Sequence, residues 1–148
     1  MNINGKEKFE DPLEKVWDSL HDPEILKNII PGCEELNYQG DGEYEVIMKL
    51  GVAAVKGEYT GKVKLDDIEK PYHYILTAQG SGSPGHVDVE MDCKLNELED
   101  EGCELVWDCQ ADVGGKIAGV GSRVLGGIAK YMAGKFFKDM KSQMKAKA

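Results

Sequence analysis

Residues 87–95 read VDVEMDCKL and residues 103–113 read CELVWDCQADV. Along the first, Val87, Val89, Met91, Cys93 and Leu95 alternate with Asp88, Glu90, Asp92 and Lys94. Along the second, Cys103, Leu105, Trp107, Cys109, Ala111 and Val113 keep the same phase. A period of two sends alternate side chains to opposite faces, so each segment reads as a strand with one dry and one wet face. Alternation of this kind belongs to antiparallel sheets. Glu99-Asp100-Glu101-Gly102 is the turn between them, and a turn centred near Asp100 sets Cys93 opposite Trp107 and Met91 opposite Cys109.

The same period extends toward the N-terminus. Residues 43–50 place Tyr44, Val46, Met48 and Leu50 on one face, and residues 55–65 do so with Val55, Tyr59, Val63 and Leu65. Residues 72–80, YHYILTAQG, form a less cleanly patterned strand, followed by a loop, SGSPG, at 81–85. Gly-Asp-Gly at 40–42 is a further hairpin turn. Before Gly32 the period is helical. Asp11-Pro12 with Glu14, and Asp22-Pro23, are helix-start signals, and Pro31-Gly32 is a stop. They predict helices over 12–20 and 23–29, after a first strand over 2–9. The order is strand, two short helices, six strands and one long C-terminal helix.

A single antiparallel sheet must cover its dry face. The last helix is the one element long enough, with a stripe read as Ile117, Val120, Val124, Ile128, Met132, Phe136 and Met140. Yet this segment, GGKIAGVGSRVLGGIAKYMAGKFF at 114–137, places Gly119, Gly121, Gly126, Gly127 and Gly134 inside the expected helix. Each interior glycine costs about 1 kcal/mol relative to alanine. Two readings stand. Small residues interdigitate with the large Met48, Tyr59, Met91 and Trp107 of the sheet, or they leave an apolar cavity for a small molecule.

Composition bounds the function. With 148 residues, the chain is expected to form one domain over 1–148. No run of apolar residues is long enough to span a membrane, and the N-terminus lacks the apolar segment of a secretory signal, so a cytoplasmic location is expected. Residues 1–114 carry 10 Lys+Arg against 26 Asp+Glu, whereas residues 115–148 carry 8 against the single acid Asp139. The acidic body argues against nucleic-acid binding. The basic tail suits either the protein's own acidic sheet or an anionic lipid surface at the inner face of the cell membrane. Cys33, Cys93, Cys103 and Cys109 form no C-x-x-C pair and read as reduced, buried thiols, with no metal site and no cofactor expected.

FEDPLEKVWDSLHDPEILKNIIPGCEEL, YEVIMKLGVAAVKGEYTGKVKL and KIAGVGSRVLGGIAKYMAGKFF together resemble the carbon monoxide dehydrogenase G-subunit family, a branch of the START-like superfamily of helix-grip domains. The resemblance implies an α+β fold in which a curved seven-stranded antiparallel sheet wraps a long C-terminal helix around a hydrophobic tunnel. It also implies an accessory role beside molybdenum-containing carbon monoxide dehydrogenases or related hydroxylases, including their recruitment to the membrane.

The residues themselves point to binding rather than catalysis. The inner face offers the hydroxyls of Tyr44, Tyr59, Tyr72 and Tyr74, whereas the strand phases send carboxylates outward. No nucleophile elbow, phosphate loop or dinucleotide fingerprint is present. Two functions follow: a non-catalytic carrier of a long apolar molecule such as a lipid or quinone, or a cyclase or hydrolase using a pocket tyrosine, Tyr59, as general acid. No catalytic set is assigned. Expected pocket residues are Met48, Tyr59, Met91 and Trp107 on the sheet and Gly121, Val124 and Ile128 on the helix, with Trp17 and Ile30 at the mouth.

Overall fold

The computed structural model describes residues 1–146. The elements are β1 (Asn2–Phe9), α1 (Leu13–Leu20), α2 (Pro23–Ile29), β2 (Cys33–Gly40), β3 (Glu43–Leu50), a 3₁₀ turn (Ala53–Val55), β4 (Gly57–Glu69), β5 (His73–Gly82), β6 (Gly85–Glu97), β7 (Cys103–Gly114), a second 3₁₀ turn (Lys116–Val120) and α3 (Ser122–Ala146). All seven strands join one antiparallel sheet in the order β1-β7-β6-β5-β4-β3-β2. The β6–β7 register sets Cys93 against Trp107 and Met91 against Cys109, as the alternation predicts.

Local chemistry explains the boundaries. Asp22 Oδ1 accepts a hydrogen bond from the Glu24 amide at 3.0 Å and so caps α2. Asp11 does not cap α1: Pro12 occupies that position, and Asp11 instead pairs with Lys15 at 2.9 Å, one turn on. The β2–β3 turn places Asp41 at φ +52 between two positive-φ glycines. There Gly42 is required twice over, because a Cβ on it would also collide with the Leu65 carbonyl. The loop expected at 81–85 shrinks to a tight turn, with Gly82 already paired to Gly85.

The C-terminal segment departs from one continuous helix. Gly121 has φ +95, which an α-helix cannot accommodate, and it separates the second 3₁₀ turn from α3. Ile117 is buried in that turn, not on the helix. At 1.5 Å per residue the 25 residues of α3 still reach about 38 Å, enough to cross the sheet.

The main core lies at one end of the molecule. Phe9, Val16, Trp17, Leu20, Ile29, Cys93, Leu95, Cys103, Leu105, Phe137, Met140 and Met144 form one buried cluster. The closest backbone approaches of α3 are to α2, β1 and the 3₁₀ turn before it. Val55, Tyr59, Ala111 and Ile117 are also buried but lie outside that cluster, at the opposite end of the sheet.

Candidate functional site

The strand registers arrange the inward-facing residues in rows across the sheet. One row runs Tyr74, Cys93, Trp107, Gly5, and the next pairs Leu95 with Leu105 and Glu7. Apart from Gly5 and Glu7 on β1, these residues are buried. Gly5 makes room for the Trp107 indole, since a Cβ there would lie 2.6 Å from the ring.

Two rows toward the other end differ. Leu65, Leu76, Met91, Cys109, Ile3 form one, and Tyr44, Val63, Ala78, Val89, Ala111 the other. In both, the outermost residues are buried, while the middle ones (Leu76, Met91, Cys109, Val63, Ala78 and Val89) are only half-buried. Val87 and Val113, one row further on, are half-buried as well. Apolar side chains in core phase therefore keep solvent-accessible surface in the middle of the inner face.

The helix explains why. Phe137, Met140 and Met144 are its buried residues. Gly126 lies 11, 14 and 18 positions before them, on the same helical face, and Ala129 and Ala133 share that face. A Cβ on Gly126 would meet no atom within 4 Å. Over its C-terminal half α3 presses large side chains onto the sheet, with the Phe137 ring 6.3 Å from that of Phe9. Over its N-terminal half that face carries Gly126, Ala129 and Ala133, flanked by the half-buried Leu125 and Met132. From the half-burial of these residues we infer an apolar hollow between two packed ends.

Polar chemistry on the inner face is sparse. Tyr59 Oη donates to the Val55 carbonyl at 2.6 Å, and burial pushes its pKa up. Tyr74 is held well above the usual tyrosine range, by burial first and then by Cys93, with which it shares a hydrogen bond. Burial pushes the Cys93 thiol up to about 12 and Cys103 to about 11, and raises Cys109 too. At neutral pH these groups stay protonated, so the thiols are weak nucleophiles.

The structure places the sequence-derived pocket residues as follows. Met48 and Tyr59 face each other across β3 and β4 at one end of the hollow, and Met91 lies on its floor. Trp107 belongs to the main core. Trp17 is not at a mouth: it is 2% exposed, stacked on His21 and edge-on to Tyr74. Ile30 caps α2 and packs half-buried on the core. Gly121 sits at the break before α3, and Val124 is 49% exposed on its outer side. Ile128 lies half-buried at the flank. The expected stripe steps by four residues, and each such step turns the helix by 400°, a drift of about 40°. Four steps carry Val124 roughly 160° away from Met140, which accounts for its exposure. Gly127 and Gly134 lie on the outer side, and no contact in the structure explains them.

Two inner-face assignments also change. Tyr72 precedes β5 and is exposed. Glu7 breaks the rule that carboxylates point outward: it sits in the dry phase of β1 and accepts a hydrogen bond from Lys141 Nζ at 2.6 Å. His73 faces the outer surface against Asp92. Among the described residues no group of His, Cys, Asp and Glu is arranged to hold a metal, and no helix is long and apolar enough to cross a membrane.

A curved antiparallel sheet gripping a C-terminal helix defines a START-like helix-grip domain. Two distant structures share this fold: a START superfamily protein from Mycobacterium smegmatis (10% identity, TM-score 0.77, 99% of each chain) and Ara h 8.0201 (15% identity, TM-score 0.72, 99% of this chain and 98% of that one). The chain belongs to the carbon monoxide dehydrogenase G-subunit (CoxG) family, whose profile matches residues 5–145. A conserved protein from Geobacillus kaustophilus is much nearer, with 39% identity and a TM-score of 0.95 over 99% of this chain and 96% of that one. No curated protein matches the sequence.

Proposed function

We propose that this protein is a non-catalytic carrier that holds a long apolar molecule, a lipid or a quinone, in the hollow between sheet and helix, and serves a molybdenum hydroxylase of the carbon monoxide dehydrogenase type. One observation carries the reading: Leu76, Val89, Met91 and Cys109 are in core phase yet only half-buried, and the N-terminal half of α3 carries Gly126, Ala129 and Ala133 beside the half-buried Leu125 and Met132. Apolar surface of this kind gains about 25 cal/mol per Å² when a ligand removes it from water. The lining offers no charge, so the part of the ligand that enters is hydrocarbon or an aromatic ring, and any polar head stays outside.

Tyr59 weighs against the enzymatic alternative. A general acid must aim its proton at substrate, and the Tyr59 proton is already directed at the Val55 carbonyl. The partner assignment rests on family membership. The outer side of α3, with Arg123, Lys130, Lys135, Lys138 and the exposed Tyr131, supports peripheral contact with anionic lipid at the cytoplasmic face of the membrane. Among the described residues, Lys141–Glu7 is the one salt bridge from α3 to the sheet.

Native mass spectrometry of protein purified from its host tests the proposal. A co-purifying apolar molecule, or a rise in Tm with one class among a panel of lipids and quinones, supports it. Empty protein with no thermal shift across the panel contradicts it. Turnover that disappears in Tyr59→Phe would favour the enzyme instead.

A further inference from the structure

Two short turns lie at the end of the sheet away from the main core, where the hollow ends at Met48 and Tyr59. Residues 51–57 read GVAAVKG and carry the first 3₁₀ turn; residues 114–121 read GGKIAGVG and carry the second. The two turns approach each other. Each has one buried side chain, Val55 in the first and Ile117 in the second. With Tyr59 and Ala111 they are buried outside the main core.

The turns are held unequally. Backbone ties the second to the β5–β6 turn: the Ile117 amide donates to the Pro84 carbonyl at 2.9 Å, and a Cβ on Gly115 would lie 2.7 Å from the Gly85 Cα. Within 52–56 the one backbone hydrogen bond among the described residues is local, from the Val55 amide to the Val52 carbonyl at 3.0 Å. What fastens this segment to the sheet is the Val55 side chain and the Tyr59 hydroxyl, which donates to the Val55 carbonyl at 2.6 Å. Glycine stands at both ends. Gly57 has φ +154 and lies against Pro84, and a Cβ on Gly51 would meet no atom within 4 Å. Between them Val52 is half-buried, while Ala53 and Ala54 are exposed. A segment with free backbone at each end and few contacts to break opens at low cost. Its apolar side chains lose little by meeting hydrocarbon in place of water.

We propose that residues 51–57 are a flap through which an apolar molecule enters the hollow, and that the Tyr59 hydroxyl is its latch, a positioning residue acting through Val55. The inference rests on the carrier reading and adds the route of entry to it. Opening breaks the Tyr59–Val55 hydrogen bond and withdraws the Val55 side chain, while the second turn stays fixed at Pro84.

Two measurements on the full chain test this, each made on the wild type, Tyr59→Phe and Val55→Ala. Amide hydrogen exchange by NMR reads the latch, and stopped-flow mixing with N-phenyl-1-naphthylamine reads entry. Phenylalanine keeps the ring and removes the donor alone. The expected result for Tyr59→Phe is exchange of the Val55 amide faster by about tenfold, with the β6–β7 ladder and Ile117 unchanged, and faster entry of the probe. Val55→Ala removes the other fastening and should give the same pattern. Unchanged exchange at Val55 in both variants, or a rise shared equally by the whole sheet, would overturn the latch. Faster exchange with an unchanged entry rate would overturn the flap as the route. No probe binding by any of the three proteins would overturn the carrier reading and the entry route with it, whereas exchange at Val55 would still decide the latch.

Discussion

The two halves of α3 are built on opposite rules. From Phe136 onward the helix drives Phe137, Met140 and Met144 into a sheet surface of Phe9, Leu95, Cys103 and Leu105, and all are buried. Before Ala133 it carries Gly126 and Ala129, with Leu125 and Met132 half-buried beside them, and Val63, Leu76, Val89 and Met91 of the sheet keep part of their surface in solvent. One helix thus serves as a core element over one half and as the roof of a hollow over the other. On the proposed carrier reading, stability and ligand capacity rest on different residues, so each can be changed without the other.

The largest effect expected from that division is at Met140, which is fully buried. Met140→Ala should cost about 2–5 kcal/mol in denaturant unfolding, whereas Ala129→Leu on the roof should change stability by about 1 kcal/mol or less. Similar losses at both sites would erase the distinction.

Next comes alkaline pH. The Cys93 thiol keeps its proton up to about 12 in the fold, against an ordinary value of 9.0. In unfolded chains the thiol ionises first, so its contribution is complete below pH 9 and is lost as pH rises toward 12. Cys93→Ala should flatten the fall of stability between those limits. An equally steep fall would show that Cys93 is not sealed in the packed end.

Gly126→Ala should stabilise the protein by about 0.5–1 kcal/mol, because the added methyl meets open space and removes a glycine from a helix interior. A loss of stability would mean that the roof touches the sheet. The smallest effect belongs to the Glu7–Lys141 pair, whose side chains are 29% and 40% exposed. Glu7→Gln should cost about 0.5 kcal/mol or less, a value that salt reduces further.

Much of this architecture was legible in residues 87–113, because period-two alternation fixes strand faces and a turn fixes register. Cys93 opposite Trp107 needed nothing else. Phase says which way Met91 and Trp107 point, however, and not how close the opposite wall comes. That distance depends on where α3 begins, how it is rotated and which helix residues lie overhead. The glycine-rich segment carried the signal for a hollow, but only Gly126 sits over it. Gly121 ends the 3₁₀ turn, while Gly127 and Gly134 face outward.

The central claim is that the middle of the inner face stays open to apolar molecules. It is tested most directly by titrating the protein with the fluorescent apolar probe N-phenyl-1-naphthylamine, beside a Gly126→Trp variant. The account predicts saturable one-to-one binding that the indole abolishes while Tm is held or raised. No saturable binding, or binding unchanged by the tryptophan, would contradict it.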